Sequence, residues 1–234
     1  MPRAAVSFTG GKDCTVSLCL AKEQGHEIAL LITFGPKGGV QSFKAHSLDL
    51  IRLQAKALNI PHIVVEIGEE GKTYLQCYRE ELQRIKDQYQ IDVLVTGDIL
   101  NVCDNFMARA SKDILELVCP IWGWDRPRLL EELFRREFDI MISCVLLPKL
   151  GGQEPLAREF VGARLTPAFL KSHLEPRKNE VDMGGEWGEF HTMVLTVPEL
   201  YNGHRIAYKG EPIIDGDYMF MNFESLELVP CAST

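Results

Sequence analysis

Apolar residues follow two rhythms along this chain. Short runs open at Ala4 and cover Ile28 to Phe34, His62 to Ile67 and Ile91 to Val95. They have the length of buried strands, and Gly10-Gly11, Gly35-Pro36 and Thr96-Gly97-Asp98 end three of them. Between the runs, apolar positions recur at helical spacing. Val16, Cys19 and Leu20 follow the first run; Leu48, Ile51, Ala55 and Leu58 predict a helix over about Phe43 to Leu58. Leu75, Tyr78, Leu82 and Ile85 mark a long helix from about Thr73, and a further helix is expected over Val102 to Leu115. Leu117 to Trp122 carries Pro120 and reads as a short or edge strand. Arg126 to Arg136 reads as a helix burying Leu129, Leu130, Leu133 and Phe134.

Strands alternating with helices at this spacing predict an α/β fold with a doubly wound parallel sheet. Right-handed crossovers bring the strands' C-terminal ends to one edge, where ligands bind. Thr9 to Lys12, Phe34-Gly35, Gly97-Asp98 and Trp122 should therefore meet in one crevice. From about Phe138 the pattern changes. A long strand to Leu147 leads into a region where Pro167 to His173 is the one short helix candidate. Met193 to Val197, His204 to Tyr208 and Tyr218 to Glu224 read as strands. This predicts a second, smaller α+β domain, with residues 1–136 as the first domain and 137–234 as the second.

The size, 234 residues, suits one large or two small domains. A formal charge of −8 gives no electrostatic footprint for nucleic acid, so an RNA or DNA partner is not expected. No apolar run reaches membrane-spanning length and the N-terminus has no signal-peptide pattern. Seven scattered cysteines without a Cys-x-x-Cys pair speak against zinc and redox motifs, and free thiols in a reducing cytoplasm are the simplest account.

The first candidate site is Thr9-Gly10-Gly11-Lys12-Asp13-Cys14. A strand, a two-glycine turn and a helix N-terminus make an anion site from backbone N–H groups and the helix dipole, and Lys12 adds a point charge. A plain glycine turn with a nearby lysine has the same pattern. Neither a Walker P-loop nor a Gly-x-Gly-x-x-Gly fingerprint is present. Cys14 sits where a helix dipole lowers a thiol pKa, although a small residue in place of serine explains it as well. The second candidate is Asp182-Met-Gly-Gly-Glu-Trp-Gly-Glu-Phe-His-Thr192, with three glycines, three carboxylates, a histidine and a threonine before a strand. Its carboxylates suit Mg²⁺ or an amine, and His191 suits proton transfer near neutral pH. A polar turn with a satisfied histidine has the same composition.

The loop resembles the Ser-Gly-Gly-Lys-Asp-Ser loop of PP-loop ATP pyrophosphatases, with Thr9 and Cys14 in place of the two serines. Taken with Ser42-Phe-Lys-Ala-His46, Thr96-Gly-Asp-Ile99, Pro120-Ile-Trp122 and Asp182 to Thr192, the chain resembles the diphthine–ammonia ligase family, or N-type ATP pyrophosphatases, from Ala4 to beyond Tyr218. The family's Arg- and Glu-rich segment after Gly-Asp-Ile is replaced by Leu100 to Arg109, whose one basic residue is Arg109.

The resemblance implies an adenine nucleotide alpha hydrolase-like (HUP) sheet and an AMP-forming, ATP-dependent ligase. It would adenylate the carboxylate of diphthine on elongation factor 2 and transfer ammonia to give diphthamide. ATP would lie on Thr9, Gly10, Gly11, Lys12, Asp13, Cys14, His46, Gly97 and Asp98, with Mg²⁺ on Asp13 or Asp98. Asp182, Glu186, Glu189, Phe190, His191 and Thr192 would take the acceptor, and Lys12, Glu189 and His191 would be catalytic. Diphthine carries a quaternary ammonium, which suits carboxylates or an aromatic face such as Trp187 or Phe190. No glutamine-hydrolysing domain is apparent, so free ammonium is the expected nitrogen source. A homodimer is compatible with this reading. Two rivals are the same chemistry on another carboxylate or small-molecule acceptor, and a non-catalytic ATP-binding module.

Overall fold

A computed structural model of the protein describes residues 1–39, 44–101 and 103–231. Ser42 and Phe43, at the head of the expected second helix and of the His46 motif, and Val102, at the head of the expected fourth, lie outside the described residues. The chain forms two compact units that do not follow chain order. The first holds Met1–Thr9, Asp13–Ser42 and Asn59–Trp124; the second holds Gly10–Lys12, Phe43–Leu58 and Asp125–Thr234.

The first unit is built on five parallel strands, β1 (Arg3–Ser7), β2 (Glu27–Pro36), β3 (His62–Ile67), β4 (Val93–Val95) and β5 (Glu116–Val118), in the order β3-β2-β1-β4-β5. Helices α1 (Lys12–Glu23), α3 (Tyr74–Tyr89) and α4 (Phe106–Ser111) alternate with them, and α2 (Leu48–Leu58) belongs to the second unit. This is the mixed α/β, all-parallel arrangement expected from the alternation. The strand order reverses between β1 and β4, the switch point at which such sheets open a crevice. Pro120 stands beyond the end of β5, on the sheet edge, where a missing N–H breaks no ladder.

The core packs Ala5, Leu30, Ile32 and Leu94 against Tyr78, Leu82 and Ile85. α3 begins where the sequence permits a capping box: the Thr73 hydroxyl accepts from the Gln76 N–H at 3.2 Å, and Gln76 Oε1 accepts from the Thr73 N–H at 2.8 Å. It ends at Gln90, whose left-handed φ of 54° turns its N–H onto the Lys86 carbonyl. The fourth helix is shorter than expected. Cys103, Asp104 and Asn105 all have left-handed φ, between 49° and 57°, which no α-helix admits, so the helix starts at Phe106.

The second unit carries an antiparallel sheet of β6 (Asp139–Leu146), β7 (Phe190–Thr196), β8 (His204–Asp215) and β9 (Tyr218–Pro230), in the order β7-β6-β9-β8. The last two strands are longer than their apolar runs. Gly216-Asp217 closes them as a two-residue hairpin, and pairing continues through a register shift at Lys209/Gly210. Helix α5 (Arg126–Arg135) buries Leu129, Leu130 and Leu133 but leaves Phe134 half-buried. A helix that periodicity does not announce, α6 (Glu154–Phe160), buries Leu156, Ala157 and Phe160; its Pro155 fits a first turn rather than breaking it. Pro167–Phe169 is one helical turn that widens into a π-turn over Leu170–Leu174.

Leu82 is fully buried, so Leu82→Ala should cost about 2–5 kcal/mol in urea unfolding, against about 1 kcal/mol for Thr73→Ala, which removes a cap. In α5, Glu132 accepts from Arg135 and from Arg136, and these bonds, Arg135's first, outweigh burial and hold its carboxyl down from 4.5 to about 2. A depressed folded-state value means this contribution is complete above pH 4.5 and is lost as pH falls toward 2. Acid titration of stability should show that loss in the wild type, and Glu132→Gln should flatten it over the same window.

Candidate active site

In the second unit, the glycine turn is tied to β7 by its carbonyl. Gly10 O accepts from the Val194 N–H at 2.9 Å and from Gln54 Nε2 at 2.8 Å, and the same Nε2 donates to Val194 O at 2.7 Å. Two carbonyl partners settle which end of the amide is NH₂. Gln54 Oε1 is then directed at Gly10. A Cβ there would stand 2.1 Å from it, and the glycine's φ of +74° also disfavours any side chain. Gly11 lies against Thr192, whose carbonyl a Cβ would meet at 3.1 Å. The Lys12 N–H donates to Thr192 Oγ1 at 3.2 Å, and Lys12 Nζ reaches Glu186 Oε1 at 3.1 Å with 5% of its side chain exposed. The glycine turn and the acidic glycine-rich stretch, 180 residues apart in sequence, are one cluster.

Within that stretch each carboxylate has a distinct set of partners. Asp182 pairs with Arg126 Nε at 3.0 Å and accepts from the Gly184 N–H at 2.8 Å and the Glu186 N–H at 3.3 Å, a turn closed by its own aspartate. Glu189 is buried; Oε1 accepts from the Asp182 N–H and Oε2 from the Trp187 N–H, each at 3.0 Å. Both of its oxygens brace the turn, so a proton-accepting role must compete with two backbone donors. Phe190 is buried and faces Phe160 with ring centroids 6.4 Å apart, whereas Trp187 is 60% exposed. His191 meets His46 edge to face, with centroids 5.2 Å apart.

In the first unit, Gly97 packs on the start of α1. A Cβ at Gly97 would come within 2.6 Å of the Cys14 nitrogen and 2.7 Å of the Asp13 carbonyl carbon, so only glycine allows the ends of β1 and β4 to close at the switch point. Thr96 Oγ1 donates to Asp98 Oδ2 at 2.8 Å and lies 3.2 Å from Cys119 Sγ. Burial, more than the Asp13 charge, pushes the Asp98 carboxyl up; burial likewise pushes up the Cys119 thiol. Thr9 Oγ1 and Cys14 Sγ, the two departures from the Ser-Gly-Gly-Lys-Asp-Ser pattern, are 3.9 Å apart. Asp98 and Trp122 also line a cavity of about 760 Å³ with Tyr74, Tyr78, Phe106 and Cys119.

Three sets of residues escape a reading of the sequence. Gln54 leaves a signal, a polar residue on the apolar face of a helix whose neighbours Leu50, Ile51 and Ala55 are all buried. Tyr74 and Tyr78 stand one turn apart on α3, but that spacing is equally a core stripe. Arg126 leaves none. Gly10→Ala should cost more than about 2 kcal/mol from left-handed strain plus the clash, and Gln54→Ala about 1–3 kcal/mol. The double variant should cost less than the sum of the two, because removing the Gln54 amide clears the space that the added methyl group needs. Denaturant midpoints of the wild type, the two single variants and the double variant measure that coupling.

No curated protein matches the chain. Among solved structures, the crystal structure of phosphoribosylglycinamide formyltransferase from Bacillus halodurans is 18% identical with a TM-score of 0.31, covering 59% of this chain and 67% of that one. That of glycinamide ribonucleotide transformylase 1 from Geobacillus kaustophilus is 16% identical with a TM-score of 0.31, covering 60% and 70%. Likenesses this slight bear on neither fold nor activity. The family model for the diphthamide synthase N-terminal domain matches residues 2–122, which run from β1 through β5 and include Thr9 to Cys14 and Gly97-Asp98. That match takes in more than half of the chain, and on it the protein belongs to the diphthamide synthase family.

Proposed function

We propose that the protein is an AMP-forming, ATP-dependent amide ligase that converts diphthine on elongation factor 2 to diphthamide with ammonia. The observation that carries this reading is the joining of Gly10–Lys12 to Asp182–Thr192 through Lys12, Glu186 and Thr192. A site for a leaving diphosphate and a site for the group to be activated must adjoin, and those two stretches do. Family membership supports the acceptor, and the five parallel strands with a glycine turn at the switch point support a HUP-type nucleotide fold.

The diphthine carboxylate oxygen attacks the α-phosphorus of ATP, and the bond to the β-phosphate oxygen breaks with pyrophosphate leaving. The turn from Thr9 to Cys14 and the Lys12 ammonium stabilise the charge that develops on pyrophosphate. Ammonia then attacks the acyl carbon of the adenylate, and AMP leaves with the C–O bonding pair. His191, beside His46, takes the proton that ammonium must lose; Glu189 keeps the turn in place and Glu186 holds Lys12. Among the described residues no three His, Cys, Asp or Glu side chains form a metal cage. Mg²⁺ bound through phosphates needs only one or two carboxylates, and Asp98, destabilised as an anion by burial and by Asp13, fits such a cation. Asp13 and Asp98 would hold it, and it would screen the phosphate charge. Seven free thiols suit a reducing cytoplasm, and no helix among the described residues is long and apolar enough to cross a membrane.

The same chemistry on a different carboxylate is the second reading. It is favoured by one observation: the segment that departs from the family, Leu100 to Arg109, contributes Leu100, Cys103 and Phe106 to the cavity wall. With ATP, Mg²⁺, ammonium and diphthine-bearing elongation factor 2, AMP and pyrophosphate should appear one to one with amide. Lys12→Ala should slow turnover about 10²–10³-fold. Release of ADP and phosphate instead overturns the class, and ATP–pyrophosphate exchange that ignores diphthine but answers to another acid selects the second reading.

A further inference from the structure

We infer that the aromatic cavity of the first unit is a quaternary-ammonium site, in which Tyr74, Tyr78 and Phe106, with Trp122 and Asp98 in the same lining, take a methylated cationic group. The inference leans on the proposed reaction only for the molecule that carries such a group; the binding chemistry stands on the cavity alone.

The three inner rings form a closed set. Tyr74 and Tyr78 lie 5.3 Å apart, Tyr78 and Phe106 4.9 Å, and Tyr74 and Phe106 5.9 Å, with interplanar angles of 56°, 87° and 40°. Rings at such angles pack tilted or edge to face instead of stacking flat, and all three line the same cavity. A cation within about 6 Å of a ring face is attracted by its quadrupole. Phe106 already shows this: the Arg109 guanidinium carbon stands 6.0 Å from its centroid, on an arginine that also pairs with Asp104 at 3.8 Å. Tyr74 and Trp122 are 49% and 50% exposed, bulky apolar surface left facing solvent where burial would be favourable.

The cavity, about 760 Å³, is large enough for a modified side chain and far larger than one ring contact needs. The remaining wall carries the apolar side chains of Leu100, Met107 and Leu117 and the amide of Asn105. The carboxylate on the wall belongs to Asp98, which repels anions, and the Tyr74 and Tyr78 hydroxyls bond to each other. A plain alkyl chain gains nothing from a carboxylate or from ring faces. A tetraalkylated nitrogen donates no hydrogen bond, tolerates apolar walls and is drawn to ring faces and to a nearby negative charge, which suits a lining of rings, apolar side chains and one carboxylate.

The test uses the whole protein without ATP or Mg²⁺, titrated with choline and with its neutral carbon isostere 3,3-dimethylbutan-1-ol. Tryptophan fluorescence follows binding, with Trp122→Phe as the control that assigns the signal. Choline should bind saturably, about 3- to 30-fold more tightly than the isostere. Tyr74→Leu and Phe106→Leu should erase that preference, Tyr78→Phe should keep it, and Asp98→Asn should reduce it, each in a protein with unchanged circular dichroism. Equal binding of the two probes, or a preference that survives both leucine variants, overturns the inference. The ligase reading fails separately: a choline preference with no AMP from any diphthine substrate sinks the reaction and leaves the site. AMP formation that Tyr74→Leu and Phe106→Leu do not alter, with no choline preference, sinks the site and leaves the reaction.

Discussion

One carbonyl organises the candidate active site. Gly10 O is held by the Val194 N–H and by the Gln54 side-chain amide, and a trans peptide then sends the Gly11 N–H the opposite way. Each such bond is worth about 1 kcal/mol net, but leaving a buried donor unmet costs about 1–3 kcal/mol, so the arrangement resists rotation of that peptide more than its stability alone suggests. Glycine is required at this position for two separate reasons, its backbone angle and the space that Gln54 fills. An anion-binding turn has to present its amides in a set direction before the ligand arrives, and the simplest way to set that direction is to anchor the carbonyls behind them.

Buried charge is the second constraint, and it argues against a purely structural reading of the cluster. Lys12 and Glu186 keep only 5% and 13% of their side chains exposed, and Arg126 and Asp182 only 19% and 13%. Taking such pairs out of water costs roughly what their attraction returns, so they add little to stability. Apolar residues of the same size would hold the fold as well. What they could not do is present an ammonium to a phosphate. Glu186 pairs with Lys12, and its backbone N–H donates to Asp182, which Arg126 fixes in turn.

The parallel sheet is readable in the sequence because its cause is local. His62 to Ile67 is a strand at the residues expected, and Thr73 caps a helix whose apolar face follows a 3.6 period. Elements whose limits are set by backbone angles or by partners are less readable. The three left-handed residues Cys103, Asp104 and Asn105 shorten α4, and none is a glycine that would have announced it. The hairpin strands β8 and β9 run past their apolar runs because they pair with each other, a fact no single-strand pattern carries. At the site, chemistry-bearing types at unusual density mark Thr9 to Cys14 and Asp182 to Thr192. Gln54 and Arg126 act by reaching backbone and carboxylate groups far away in sequence, and only the folded chain puts them there.

Thr9 and Cys14 replace the two serines of the pattern that the loop resembles, and they stand beside each other, Oγ1 to Sγ at 3.9 Å. That distance is long for any hydrogen bond between them, and a thiol is a weak donor at best. Cys14 is also buried, and its backbone nitrogen lies against Gly97 at the switch point, where a Cβ on that glycine would open the join between β1 and β4. In the proposed reaction, with a thiol in place of the serine hydroxyl, the charge of a departing diphosphate would rest on backbone amides and on Lys12. The structure anchors the Gly10 carbonyl through Gln54 and Val194, and Lys12 through Thr192 and Glu186.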